Sequence, residues 1–385
     1  MIRRVVKDVG ARAIHASRAD RLIGALTGRS REPLVLCYHR VVEDVRRHPW
    51  SAPPMLVGLR TLEAQLDWIG RRYRFVGLDE LGAQLEGRSG RAAGDGPVRG
   101  RPLAAVTFDD GYADVYHHAF PLLRRKGIPA GFFVVTGLVG TGLLQPHDEL
   151  FVLLREAGRE LGSPRLARLL GPFRTAAGRA AEIGEGDSPR RFVELAEGLL
   201  GVLSRSELRG LIRSLRRHVE VPDRLRDELR AVDWAMLAEM DREGVTIGSH
   251  TRSHLILANE PEPELSSELV GSKRRLEERL GHAVPHLAYP NGQFSVAVVD
   301  AAAAAGYRYG YTTCSHRDAV RPLLTIPRRT FWERSTAGLD GAFSPALAAC
   351  QVRGVLDPAR PCPWDHGSRS APASLARRPR TVTAS

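Results

Sequence analysis

At 385 residues, with 43% apolar and 26% charged side chains, the chain can bury its own core and needs no disulfide staples. A formal charge of +12 raises nucleic acid, an anionic membrane surface or an anionic polymer as partners. The excess sits at the chain ends, few aromatics interleave with it and no nucleic-acid motif appears, so no nucleic-acid partner is expected.

Residues 1–50 hold eleven Arg/Lys against five acids. Within residues 1–32, Val5, Val6, Val9, Ala13, Ile14, Leu22, Ile23 and Leu26 recur at near-helical spacing among arginines. That pattern suits a helix lying on anionic lipid, or equally one packed on the domain. It lacks a continuous apolar run and reads as neither a secretion signal nor a membrane span. A cytoplasmic location, peripheral at the inner membrane face, is therefore expected.

Leu34-Val35-Leu36-Cys37-Tyr38 reads as a buried strand that ends on His39. Leu62, Leu66 and Ile69 mark a helix before a strand at Phe75-Val76. A Gly/Arg-rich loop around 87–101 leads into the strand 103–108, which runs into Thr107-Phe108-Asp109-Asp110-Gly111. A helix over 113–126, ended by Gly127 and Pro129, and a strand at 131–135 follow.

Residues 145–231 are Leu/Ala/Arg/Glu-rich without strand patterning, and predict an insertion of several short helices. Alternation resumes at Asp233, an N-cap for a helix over Trp234–Arg242, and at the strand 245–249. That strand leads into His250-Thr251-Arg252-Ser253-His254. A helix over 262–281 precedes short runs at His286–Tyr289, Tyr307–Thr312 and Leu323–Ile326. The segment 336–385 is basic and predicted to be disordered. Cys37, Cys314, Cys350 and Cys362 are scattered and read as unpaired thiols of a reducing compartment, with a Cys350–Cys362 bridge the one pairing left open.

Repeated strand–helix units predict a parallel α/β barrel, whose chemistry gathers at the carboxyl ends of the strands. Both polar motifs fall at such ends. One carboxylate and two neutral imidazoles form a ligand set for Zn²⁺ or another divalent transition metal, leaving a second carboxylate free to take a proton. The His250/His254 spacing matches that of HExxH, but Thr251 stands where a zincin carries its base, so the base must come from the Asp109-Asp110 pair.

Thr107–Gly111 and His250–His254 resemble the first two motifs of the polysaccharide deacetylases, the NodB-type family also called carbohydrate esterase family 4. The resemblance covers residues 34–330, and the expected domain is 33–335. It implies a distorted (β/α) barrel of the NodB type with a helical insertion. It also implies Asp109 as catalytic base and Asp110, His250 and His254 as metal ligands, usually of zinc.

Ala288-Tyr289-Pro290-Asn291-Gly292 stands for the third family motif, with the Asn291 N–H able to serve an oxyanion. The arginine that orients the base is Ala288 here, and Arg328 or Arg329 are candidates to replace it. No late Leu-x-His is present. Instead Tyr38-His39 resembles the N-terminal motif of the circularly permuted poly-N-acetylglucosamine deacetylase branch, implying His39 as general acid, with His316 a weaker substitute. The implied substrate is an N-acetylated glycan or glycolipid. An amidase on a non-sugar N-acyl substrate and a catalytically inactive glycan-binding or membrane-anchored barrel are the alternatives. Asp114 and Asp148 are expected to be caps or surface acids, and Trp332 to stack on a sugar or to join the core.

Overall fold

Every residue of the apolar run Leu34–Tyr38 (β1) is buried, as expected for a parallel strand covered on both faces. The same holds for all but the first residue of Leu103–Phe108 (β5), and for all of Ala130–Val134 (β6). The computed structural model describes residues 2–26, 32–48, 55–89, 100–173, 189–355, 362 and 365–367. Its remaining strands are Arg40–Val42 (β2), Leu56–Gly58 (β3), Arg74–Phe75 (β4), Thr246–Ser249 (β7) and His286–Ala288 (β8), then Tyr309–Thr312 (β9), Ile326–Pro327 (β10) and Arg329–Thr330 (β11). β2 and β3 pair separately; the others form one parallel sheet in the order β10-β9-β8-β7-β6-β5-β1-β11, with β4 also on β5.

The two ends of that order are consecutive in sequence. β10 pairs with β9 and β11 pairs with β1, so the short stretch 326–330 crosses the seam and nearly closes the barrel. Arg328 is the residue at the crossing: its amide donates to the Thr312 carbonyl (2.8 Å), while the Phe331 amide donates to that of Cys37 (2.8 Å). The fold is thus the parallel barrel that the alternation predicts, in the distorted (β/α) form that the resemblance implies, wrapped by helices such as Leu59–Gly70, Trp234–Arg242 and Glu262–Leu280. Asp233 caps the second of these, accepting from the Met236 amide at 2.8 Å. The helix expected over 113–126 is present in two parts, a π-helical turn at Val115–Ala119 and an α-helix at Phe120–Lys126 that Gly127 ends at φ +61°.

The insertion is helical among its described residues, with helices at Pro146–Leu161, Ser163–Leu170, Pro189–Leu200, Arg205–Arg216 and Asp223–Glu228. It has its own apolar cluster, with Leu150, Leu153, Leu154, Leu199, Leu211 and Leu215 at its centre. Leu153 is fully buried there. Leu153→Ala is expected to cost about 2–5 kcal/mol, read as a lower unfolding temperature; an unshifted transition would show that this cluster contributes little to stability.

One sequence expectation is corrected at the C-terminal end, and of the two readings of the N-terminal segment the packed one is found. Residues 336–355, assigned to a disordered tail, are folded up to the helix Pro345–Val352. Its apolar stretch Ala346–Cys350 buries against the N-terminal helix Ile2–Ala16 through Ala11, Leu347 and Cys350, and Ser344 caps it. The N-terminal helices therefore pack on the domain, pinned also by an Asp20–Arg353 ion pair. Their outer face still exposes Val6 (67%), Val9 (54%), Leu22 (63%) and Leu26 (79%). No helix among the described residues is long and apolar enough to cross a membrane.

Candidate active site

β5 delivers the acidic pair. The Asp109 amide donates to the Tyr38 carbonyl (2.9 Å), continuing the β1–β5 ladder, and the backbone then turns into the left-handed region at Asp110 (φ +71°) and Gly111 (φ +76°). β7 ends beside it, with the His250 amide donating to Val134 (2.9 Å), and Thr251 (φ +68°) and His254 (φ +56°) are also left-handed. Five non-glycine residues among those described have positive φ, and four of them (Asp110, Thr251, His254 and Asn291) belong to the predicted site motifs. Such conformations cost of order 1–3 kcal/mol each and cluster where function demands a fixed geometry.

The turns bring the sequence-predicted ligands together. His250 Nε2 and His254 Nε2 lie 3.3 and 3.1 Å from Asp110 Oδ1. His250 Nδ1 contacts the Ala288 carbonyl at 2.8 Å, so it carries the proton and Nε2 presents a lone pair. Neither carboxylate oxygen of the buried Asp110 has a hydrogen-bond partner. A carboxylate facing imidazole lone pairs at this range is repulsive unless a cation lies among them. The donor set therefore fits a divalent ion.

Cys37, His39 and Asp109 form a second close group. It is not a metal cradle, because Asp109 is already occupied. Arg328 Nη1 donates to Oδ1 (2.7 Å) and Nη2 to Oδ2 (2.6 Å), in a bidentate pair with exposures of only 0% and 4%. Burial pushes the Cys37 thiol well up, so it stays protonated and approaches Asp109 Oδ2 as a donor at 3.5 Å. Burial also raises the Asp109 carboxyl, but Arg328, His250 and His39 prevail and keep it below its ordinary value. Of the two arginines proposed to replace the one missing at Ala288, Arg328 makes the contact.

His39 is half-buried next to this pair, and its buried Nδ1 has no partner. Burial lowers its pKa, opposed by Asp110 and Asp109. Asn291 is exposed on the loop that follows Ala288, whose carbonyl orients His250. His316 instead stacks on His366 and packs at a tilt against Phe294.

Asp114 and Asp148 are not surface acids. Asp114 accepts from Arg40 Nε (2.7 Å) and the Val41 amide (3.2 Å). Asp148 is buried, accepts from Tyr112 Oη (2.6 Å) and is pushed up to about 6 by burial. Trp332 is half-buried. One residue escaped the sequence reading: His147, at the start of the first insertion helix, packs its ring at a tilt against that of His254 (4.8 Å) and places Nε2 3.9 Å from Asp110 Oδ2. Its signal was the position of the Pro146-His147-Asp148 triplet at a helix start, but nothing local says which strand end it faces.

A sequence model of the family described as "Polysaccharide deacetylase" matches residues 97–164 and 187–310. No curated protein matches the chain. Among solved structures, the Streptococcus pyogenes deacetylase PplD in complex with acetate shares 17% identity and a TM-score of 0.51, covering 83% of this chain and 98% of that one. IcaB from Ammonifex degensii shares 20% identity and a TM-score of 0.49, covering 84% and 97%. The Bordetella bronchiseptica BpsB deacetylase domain shares 18% and 0.43, covering 77% and 94%.

Proposed function

Because this chain belongs to the polysaccharide deacetylase family, we propose that it is a metal-dependent hydrolase that removes N-acetyl groups from an N-acetylated polysaccharide or glycolipid and releases acetate. The observation that carries this reading is the buried Asp110 carboxylate, without a hydrogen bond and facing the Nε2 atoms of His250 and His254 at 3.3 and 3.1 Å.

A divalent cation held there by Asp110, His250 and His254 supplies Lewis acidity, lowering the pKa of water and polarising a carbonyl. Asp109, kept ionised and aimed by Arg328, accepts the proton of the attacking water. The Asn291 N–H serves the developing oxyanion. His39, when protonated, donates to the departing amine nitrogen, so the C–N bond breaks to a free amine and acetate. The placement of that histidine just after β1, ahead of the acidic pair, supports the permuted poly-N-acetylglucosamine branch.

The test is acetate release from a panel of N-acetylated glycans, with and without chelator. Release that chelator abolishes and Zn²⁺ restores supports the reading. Turnover of simple acetamides alone would point to a non-sugar amidase, and binding without turnover to an inactive glycan-binding barrel.

The pH profile adds a second check. Ionised Asp109 and protonated His39 together give a bell in kcat/KM. Since the His39 pKa is lowered, the rate should fall as pH rises through a value below the ordinary imidazole range. His39→Ala should remove that alkaline limb and cost about 10²–10⁴-fold in rate; an unchanged limb would assign the acid elsewhere.

The exposed Val6, Val9, Leu22 and Leu26 among N-terminal arginines support peripheral contact with an anionic membrane, and with it a place at the inner membrane face. Co-sedimentation with anionic but not neutral vesicles, lost in Val6→Asp/Leu22→Asp, is the expected result. Equal behaviour on both vesicle types would remove this contact from the proposal.

A further inference from the structure

Beyond the strand β9, a second cluster of soft ligands assembles from two distant parts of the chain. Cys314, Cys362 and His366 place one ligand atom each within 4.8 Å of the others. Their spacing in sequence is Cys314-x-His316 and Cys362-x₃-His366. His366 Nε2 lies 3.7 Å from Cys314 Sγ and 3.2 Å from Cys362 Sγ. A tetrahedral Zn²⁺ with ordinary Zn–S and Zn–N bonds separates sulfur and nitrogen by about 3.6 Å, so the two observed edges bracket the required one.

The supporting contacts are those of a metal-ligating histidine. His366 Nδ1 donates to the Phe294 carbonyl at 2.9 Å, which fixes the tautomer and turns the Nε2 lone pair towards the two sulfurs. The ring is buried between Phe294 (4.2 Å) and His316 (4.3 Å). Cys362 and Asp365–Gly367 have no regular secondary structure, yet they are held at the barrel by this cluster and by the Val296 amide on the His366 carbonyl (2.9 Å). A thiol pair and an imidazole gathered by an irregular segment is the way small metal clips replace a hydrophobic core.

We propose that Cys314, Cys362 and His366 bind a structural Zn²⁺. This ion clips the C-terminal segment onto the loop Tyr289–Phe294, whose Phe294 carbonyl orients His366. The site is independent of the Asp110 centre and gives a shared role to Cys314 and Cys362, which are unpaired as the sequence suggests. The Cys350–Cys362 bridge is likewise absent: Cys350 lies against the Ala11 carbonyl, and both thiols are free.

The test uses the full chain, purified under reducing conditions and loaded with Co²⁺. Thiolate ligation gives an intense near-ultraviolet sulfur-to-cobalt charge-transfer band, which an Asp/His/His centre lacks. The band should be present in the wild type, persist in an Asp110→Asn/His250→Ala double variant, and vanish in Cys362→Ser and His366→Ala. The same double variant, loaded with zinc instead, should retain one equivalent. Absence of the band from wild-type protein overturns the proposal without recourse to any variant. A Cys314–Cys362 disulfide, seen by intact mass and thiol counting in protein kept reduced, overturns it equally.

Discussion

Asp109→Asn should lower the rate of acetate release by about 10²–10⁴-fold, the range for loss of a positioned general base, while leaving metal content unchanged. The amide keeps the shape of the carboxylate but cannot take a proton. The ligand set lies on the neighbouring residue and in the turn after β7, so the cation should remain. Metal content and kcat measured on one preparation separate the two roles. If Asp109→Asn lost its metal, Asp109 would be a ligand and the division of labour within the acidic pair would be wrong. If it kept full activity, the base would lie elsewhere.

Arg328→Met should be the most destabilising change near the site. Arg328 and Asp109 are both buried, at 0% and 4% exposure, and they satisfy one another through two hydrogen bonds. Removing one partner of such a pair leaves an uncompensated buried charge and costs about 3–5 kcal/mol. The same change has a kinetic sign. Without the guanidinium, burial dominates at Asp109 and its pKa rises, so the acid limb of the pH profile moves to higher pH. His39 also feels the cation, which lowers it, so the alkaline limb should move up as well. Arg328→Lys should keep much of the stability but not the two-point aim, since an ammonium cannot donate in a fork. Chemical denaturation and a pH–rate series on both variants check this. A Met variant as stable as the wild type, with unmoved limbs, would remove Arg328 from its positioning role.

Much of this site was legible because its parts lie where local sequence patterns end. β1 and β5 are apolar runs and β7 a short, mostly buried strand; they stop at His39, Asp109-Asp110 and His250, and a parallel barrel gathers such ends. Arg328 could be narrowed only to one of two neighbours. Its selection depends on the seam, where a strand broken at that residue pairs with β9 on one side and β1 on the other. Long-range pairing of that kind leaves no periodic trace. His147 was missed for a related reason: the insertion reads as helices, but the docking of its first turn against His254 is set by packing among distant segments. At the C-terminus, a basic composition concealed the apolar stretch Ala346–Cys350, short enough to be outweighed in an average yet sufficient to bury a helix. The spacing of Cys314 with His316, and of Cys362 with His366, was visible throughout. It gained meaning only once β9 and the C-terminal segment met.

The most direct measurement is an anomalous difference map from crystals of the full chain soaked in Zn²⁺, recorded at the zinc edge. A peak within coordination distance of one Asp110 carboxylate oxygen, His250 Nε2 and His254 Nε2, with Asp109 still paired to Arg328, is the expected result. Density-free space among those three atoms at saturating zinc, or a peak ligated by Asp109 instead, would contradict it.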